Sequence, residues 1–175
     1  MLLPYVNYTN LELHRAKFIF ETVGMVKEVK FDSSLLSAVE MGACDPNTGT
    51  IVLPSDYGFL AMQKWIQAQK PGWFSTNSPL HVIRHEIGHA LYYFYMFETK
   101  ENKKDVAQRF AKLRKIHDLY FSKGKVQDGK VLLSRYAETG SREMFAEAVA
   151  EMMNGHPREL ARKIIVEVIG VNPKW

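Results

Sequence analysis

Between residues 80 and 97 the chain runs without a proline through a segment dense in apolar side chains, and His81, Arg84, His85, Glu86 and His89 are set inside it. Ser78 followed by Pro79 suits an N-cap and a first helical position, so the pattern predicts a helix over 79–97. Val82, Ile83, Ile87, Ala90 and Leu91 flank the polar residues. A solvated helix does not carry apolar flanks on both sides of its charged residues, which predicts a buried helix with the rest of the chain packed around it. Charged groups in such a place must be paired with one another or bound to an ion.

The order His85-Glu86-Ile87-Gly88-His89 narrows the choice. Four residues turn an α-helix by about 400°, so both imidazoles lie on one face, one turn apart, where they can bite one metal ion. Cys44 is the only cysteine, which excludes an internal disulfide and a cysteine-rich zinc site and leaves histidines and carboxylates as ligands. Zinc in catalytic sites commonly takes three protein ligands and keeps one position open to water; a glutamate beside the first histidine can reach that water as general base. Glu86 is the candidate. The competing structural reading is two buried histidines hydrogen-bonded to Glu86, a triplet that is costly unless fully paired. His81 extends the series by a turn, but ligands at 81, 85 and 89 would spread over roughly 12 Å of helix axis, so His81 is expected to pack or to support a ligand. Gly88 leaves room for close approach by a neighbouring segment.

A third ligand is expected from the other strongly apolar helix of the C-terminal half, predicted over 141–154 with Gly155 as its stop. Glu143, Glu147 and Glu151 share a face there. An isolated glutamate stripe is ordinarily a solvated face; beside the histidine helix one of the three is expected to ligate. If Glu143 meets the metal, Glu147 can accept the ring N–H of a ligand histidine and fix its tautomer, and the roles can also be reversed.

The remaining sequence reads as one α+β domain. Its 175 residues, 46% of them hydrophobic, supply one sizeable core and no linker that would divide two. Asn10 is read as the cap of a helix stopped by Gly24, and residues 26–31, 38–43 and 50–53 as strands of a small, mostly antiparallel sheet. Asp45-Pro46-Asn47-Thr48-Gly49 closes a hairpin between the last two. Ser55 is expected to cap a helix towards Gln69, followed by a loop over 70–78. Helices are predicted over 103–121 and from Pro157 to Gly170, with Gly124 and Gly129 preceding a short apolar segment at 131–133. No stretch approaches the roughly 20 apolar residues of a membrane helix, and residues 1–10 carry no secretory signal pattern, which predicts a cytoplasmic or virion-associated protein without membrane contact. The net charge is +4, with several cations between 100 and 130. A solvated helix face explains them better than a nucleic-acid site, because no binding motif accompanies them.

His85-Glu86-Ile87-Gly88-His89, then Tyr136, then Glu143-Met144-Phe145-Ala146-Glu147-Ala148 resembles the zincin-like metalloprotease domains typified by anthrax toxin lethal factor and found in toxins and bacteriophage-encoded proteins. That family has a tyrosine seven residues before its glutamate ligand, in a segment reading Glu-Phe-Phe-Ala-Glu-Ala; here Met144 is the one change in the block. The resemblance covers mainly 79–155. It implies a zincin-like domain with a small sheet packed on the active-site helix and a helical C-terminal half. It also implies Zn2+ held by His85, His89 and Glu143, Glu86 as general base, Tyr136 as a transition-state donor and Glu147 behind a ligand histidine. Arg84 departs from the family's uncharged position and is expected at the cleft rim.

The activity so implied is zinc-dependent hydrolysis of a peptide or protein substrate. Zincins often bind substrate as a strand added to a sheet edge, and Thr50 to Leu53, ended by Pro54, is the best candidate for that edge, while a central buried strand ending at a turn would carry the same pattern. The rings of Tyr92, Tyr93, Phe94, Tyr95 and Phe97 are expected mostly in the core, with one available to a substrate pocket. A second reading keeps the fold and its zinc as a binding or structural module of a phage virion or toxin complex, without hydrolysis.

Overall fold

The computed structural model describes residues 3–20, 25–56, 58–98, 102–121 and 133–170. Among them it forms an α+β domain of six α-helices and one three-stranded sheet. In chain order these are α1 (Leu3–Phe20), β1 (Glu28–Phe31), β2 (Ala43–Asp45), β3 (Thr50–Leu53), α2 (Phe59–Ala68), α3 (His81–Tyr93), α4 (Lys103–Phe121), α5 (Ser141–Met153) and α6 (Glu159–Ile169). No helix among the described residues is long and apolar enough to cross a membrane.

The apolar run of the sequence becomes α3, buried without interruption from His81 to Tyr92. Its start lies two residues later than Pro79. Ser78 instead makes the preceding turn, accepting His81 N–H on its carbonyl at 2.9 Å and Leu80 N–H on its hydroxyl at 3.2 Å. Beyond Tyr93 the chain continues in one wider π-helical turn, Phe94–Glu98. α5, buried from Met144 to Met153, packs against α3 more extensively than any other pair of elements. Two helices buried on nearly every side can only be central, and the sheet, α1, α4 and α6 cover them. α6 turns Leu160, Ile164, Ile165 and Val168 inward and ends at Gly170, whose φ of 69° is left-handed. α4 has the predicted bounds, burying Leu113 and Ile116 and leaving Lys104, Lys112 and Lys115 exposed.

Gly88 is where α3 meets α5. A Cβ there would lie 2.6 Å from Ala146 Cα and 3.0 Å from its carbonyl oxygen, and backbone cannot step aside as a side-chain end can. Gly88→Ala gains roughly 0.5–1 kcal/mol of helix propensity but incurs overpacking of about 1–3 kcal/mol. A net fall in the urea midpoint is expected; an unchanged or raised midpoint would show that the two helices separate freely.

The sheet differs from its expected form. Its order is β1-β3-β2, with β3 parallel to β1 (Glu28 opposite Thr50, Phe31 opposite Leu53) and antiparallel to β2 (Ala43 opposite Val52, Asp45 opposite Thr50). It is therefore mixed, and Thr50–Leu53 is the central strand, with all four residues buried, so the expected edge is not an edge and the outer strands are β1 and β2. Pro54 ends a covered strand rather than an exposed one. The hairpin itself forms as read. Asp45 Oδ1 accepts Asn47 N–H and Oδ2 accepts the Thr48 hydroxyl, both at 2.9 Å, while Gly49 takes a φ of 67°. Residues 38–42 are turn-like rather than strand.

α1 begins at Leu3, so Asn10 is an exposed mid-helix residue and not a cap; the buried stripe of Tyr5, Ala16, Ile19 and Phe20 carries the helix through it. Ser55 caps no helix, since its hydroxyl faces Ser33 and α2 starts after Gly58. Gly24, Gly124, Gly129 and residues 131–132 lie outside the described residues.

Candidate metal centre

The α-helical register of α3 brings His85 and His89 to one face, and α5 crosses it there with Glu143. Glu143 Oε2 lies 3.1 Å from His85 Nε2 and 3.2 Å from His89 Nε2. These three atoms lie within 4.8 Å of one another, close enough to hold a metal ion. A second triplet of the same kind, His81, His85 and Glu147, shares His85 through its other nitrogen. Glu147 Oε1 lies 2.8 Å from His85 Nδ1 and 3.0 Å from His81 Nε2, its Oε2 accepts Ser75 N–H at 2.6 Å, and Thr76 Oγ1 lies 3.2 Å from His81 Nδ1. Hydrogen bonds thus account for every polar atom of that inner triplet. In the outer one His89 Nδ1 is buried without a partner, and so is Oε2 of the adjoining Glu86, which is not one of the three.

Charge follows from these contacts. Burial works against a proton on His85, but hydrogen bonds to Glu143 and Glu147 and the charges of Glu147 and Glu86 outweigh it and hold its pKa up to about 10. Burial likewise opposes ionisation of Glu143 and Glu147, yet the facing histidines hold both carboxyls well below the usual range. Glu86 goes the other way: burial raises its pKa, and the nearby histidines only partly offset it. A buried carboxylate with a raised pKa and a free oxygen is suited to accepting a proton.

Tyr136 reaches the site from a short 3-10 turn, Tyr136–Thr139. The turn is pinned to the 70–78 loop by Arg135 N–H to Gly72 O (2.8 Å) and Tyr136 N–H to Trp73 O (3.0 Å). The Tyr136 ring lies 5.5 Å from that of His85 and meets Phe74 edge-on. Burial, with the charges of Glu143 and Glu86, pushes its hydroxyl up to about 12, so it remains a donor at neutral pH. Beside His85, Glu86 and Tyr136 opens a cavity of about 370 Å³ walled by Met41, Trp65, Trp73 and Phe74, with Val39, Glu40 and Gly42 on the β2 side.

All six residues singled out in the sequence, His85, Glu86, His89, Tyr136, Glu143 and Glu147, therefore meet at this centre. Glu151, the third of the glutamate stripe, does not, being paired at 2.6 Å with Arg158. Arg84 is not at the cleft rim. It is buried and holds Glu12 of α1 through Nε (2.7 Å) and Nη2 (3.1 Å) and Asn154 through Nη1 (3.0 Å), tying three segments together behind the site. Of the aromatic cluster, Tyr92 and Tyr95 are core, whereas Tyr93 and Phe97 line a separate cavity of about 280 Å³ with Pro46 and Asn47. The sequence left unassigned the roles of Ser75, Thr76, Trp65, Trp73 and Phe74; adjacent aromatics in a polar loop were the available signal. No family model, curated protein or solved structure matches this chain.

Proposed function

We propose that this chain is a zinc-dependent metallopeptidase with a zincin-like fold, in which His85, His89 and Glu143 hold Zn2+ and Glu86 is the general base. The observation that carries the reading is the triangle of two imidazole nitrogens and one carboxylate oxygen beside a buried glutamate with an unpartnered oxygen. Donors about 2.0–2.2 Å from one ion in a tetrahedral set lie roughly 3.3 Å apart, and separations of 3.1 and 3.2 Å fit that with little movement. Two nitrogens and one oxygen also suit zinc's preference.

Zinc, when bound, supplies a Lewis acid that polarises the scissile carbonyl and acidifies water. Glu86 takes a proton at Oε2 from the attacking water and returns it to the leaving nitrogen. The Tyr136 hydroxyl donates to the oxyanion as it develops. Glu147 accepts the Nδ1–H of His85, so Nε2 is the nitrogen left for the ion. An extended peptide can lie beside the outer strand β2, placing a side chain in the cavity between Met41, Trp65, Trp73 and Phe74. A dry cavity of about 150 Å³ accepts benzene, so one of about 370 Å³ has room for a large apolar side chain next to the cleaved bond.

The test is zinc uptake by metal-free protein. Near one zinc per chain is expected for wild type and none for His85→Ala. With its pKa held up to about 10, metal-free His85 carries both ring protons at pH 7, and an ion at Nε2 must displace one. Uptake at pH 7 should therefore release protons, and affinity should rise with pH through the neutral range. A folded wild type that takes up no zinc removes the metal reading.

A further inference from the structure

Glu143 has two oxygens, and only one faces the histidines. Oε1 is occupied by its neighbour Arg142, whose Nε and Nη2 both donate to it at 3.2 Å. Adjacent residues on a helix do not normally face each other, so this contact needs the arginine to be folded back along the surface of α5. A second bond does so: Nη1 donates to the Tyr93 hydroxyl at 3.1 Å. Tyr93 closes α3, the helix that carries His85 and His89. The guanidinium thus spans α3 and α5 at the mouth of the site and fixes the carboxylate, whose terminal torsion is otherwise broad.

We propose that Arg142 is a positioning residue that restricts Glu143 to a single metal-facing oxygen, Oε2, by engaging Oε1. The assignment rests on the metal reading above. An unrestrained carboxylate can turn to offer both oxygens to a cation, which fills a position that substrate or water needs. With Oε1 held by two N–H groups from a group that never loses its charge, that rotation is opposed sterically and electrostatically. The planar fork matters, because a lysine ammonium is a point charge and cannot keep both the Glu143 and Tyr93 bonds in one geometry.

Cobalt(II) reports this directly, since its visible bands are intense in four-coordinate sites and weak when a fifth donor enters. Metal-free wild type, Arg142→Ala, Arg142→Lys and Tyr93→Phe are loaded with cobalt alone and their visible spectra compared per bound ion. The Arg142 side chain is 53% exposed, so its replacement should leave the fold in place, which the far-ultraviolet circular dichroism of each variant checks. Wild type is expected to give intense bands, Arg142→Ala a several-fold weaker spectrum at the same cobalt content, Arg142→Lys little recovery, and Tyr93→Phe an intermediate. Superimposable spectra of wild type and Arg142→Ala at one cobalt per chain overturn the role of Arg142 while leaving the metal site standing. Failure of folded wild type to bind cobalt overturns the metal reading and this assignment together.

Discussion

Glu86→Gln is expected to leave zinc bound and the fold intact while lowering peptide hydrolysis by about 10²–10⁴-fold, the range over which a positioned acid or base contributes. Glutamine keeps the shape of glutamate but is neutral and cannot act as a base. In most buried settings that exchange would break hydrogen bonds, but Glu86 Oε2 has no partner to lose. The sign of the stability effect follows from the pKa. Burial raises it, so the folded chain disfavours the carboxylate, and stability is lost rather than gained as pH rises above the ordinary glutamate value. Removing the charge should leave the metal-free melting temperature at pH 7 unchanged or slightly higher. Cleavage of a mixed peptide pool, read by mass spectrometry with zinc content measured alongside, separates the outcomes. Undiminished cleavage by the variant would remove Glu86 as the base. A zinc-loaded wild type that cleaves nothing would favour the zinc-stabilised binding module.

How far the sequence discloses this arrangement depends on the range of the interaction. The pairing of His85 with His89 and of Glu143 with Glu147 is a matter of helical pitch and is readable from spacing alone. So is the hairpin, because Asp45, Asn47, Thr48 and Gly49 make its bonds among themselves. Gly88 signals a close approach, though not that Ala146 is what approaches. What local pattern does not carry is pairing at a distance. The parallel register of β1 with β3 places the hairpin's second strand inside and its first outside, and nothing in residues 50–53 distinguishes that from an edge. Arg84 looks misplaced on a buried helix until Glu12, 72 residues earlier, is found against it. Asn10 misleads for the opposite reason: its capping preference is local and weak, and tertiary burial of Tyr5 overrides it. The loop over 70–78 reads as polar spacing, yet it supplies the Ser75 N–H to Glu147 and a wall of the cavity.

The division of labour between the two glutamates of α5 gives the sharpest test of the site, because removing each should damage a different property. Glu147 is fully buried and collects Ser75 N–H, His81 and His85 on its two oxygens. Its carboxyl sits well below the ordinary range because those histidines outweigh the burial, so its contribution to metal-free stability is present above the ordinary glutamate pKa and lost progressively as pH falls below that value towards the depressed pKa of the folded state. Glu147→Ala strands a buried imidazolium and an amide N–H together, a loss of about 3–5 kcal/mol. In a chain of this length that lowers the melting temperature by on the order of 10 °C. Zinc should still bind, some 10–100-fold more weakly, since His85 loses the acceptor that fixes its tautomer. Glu143→Ala should show the reverse. Its carboxylate is 14% exposed and His85 keeps Glu147, so the metal-free protein should melt closer to wild type, while zinc affinity falls well beyond the 100-fold limit of a supporting residue. Thermal melts of metal-free protein and competitive zinc titrations, run on both variants, should therefore cross. If Glu147→Ala is instead the one that abolishes zinc binding and Glu143→Ala the milder, the ion sits in the inner triplet with His81, and the ligand and its support exchange places.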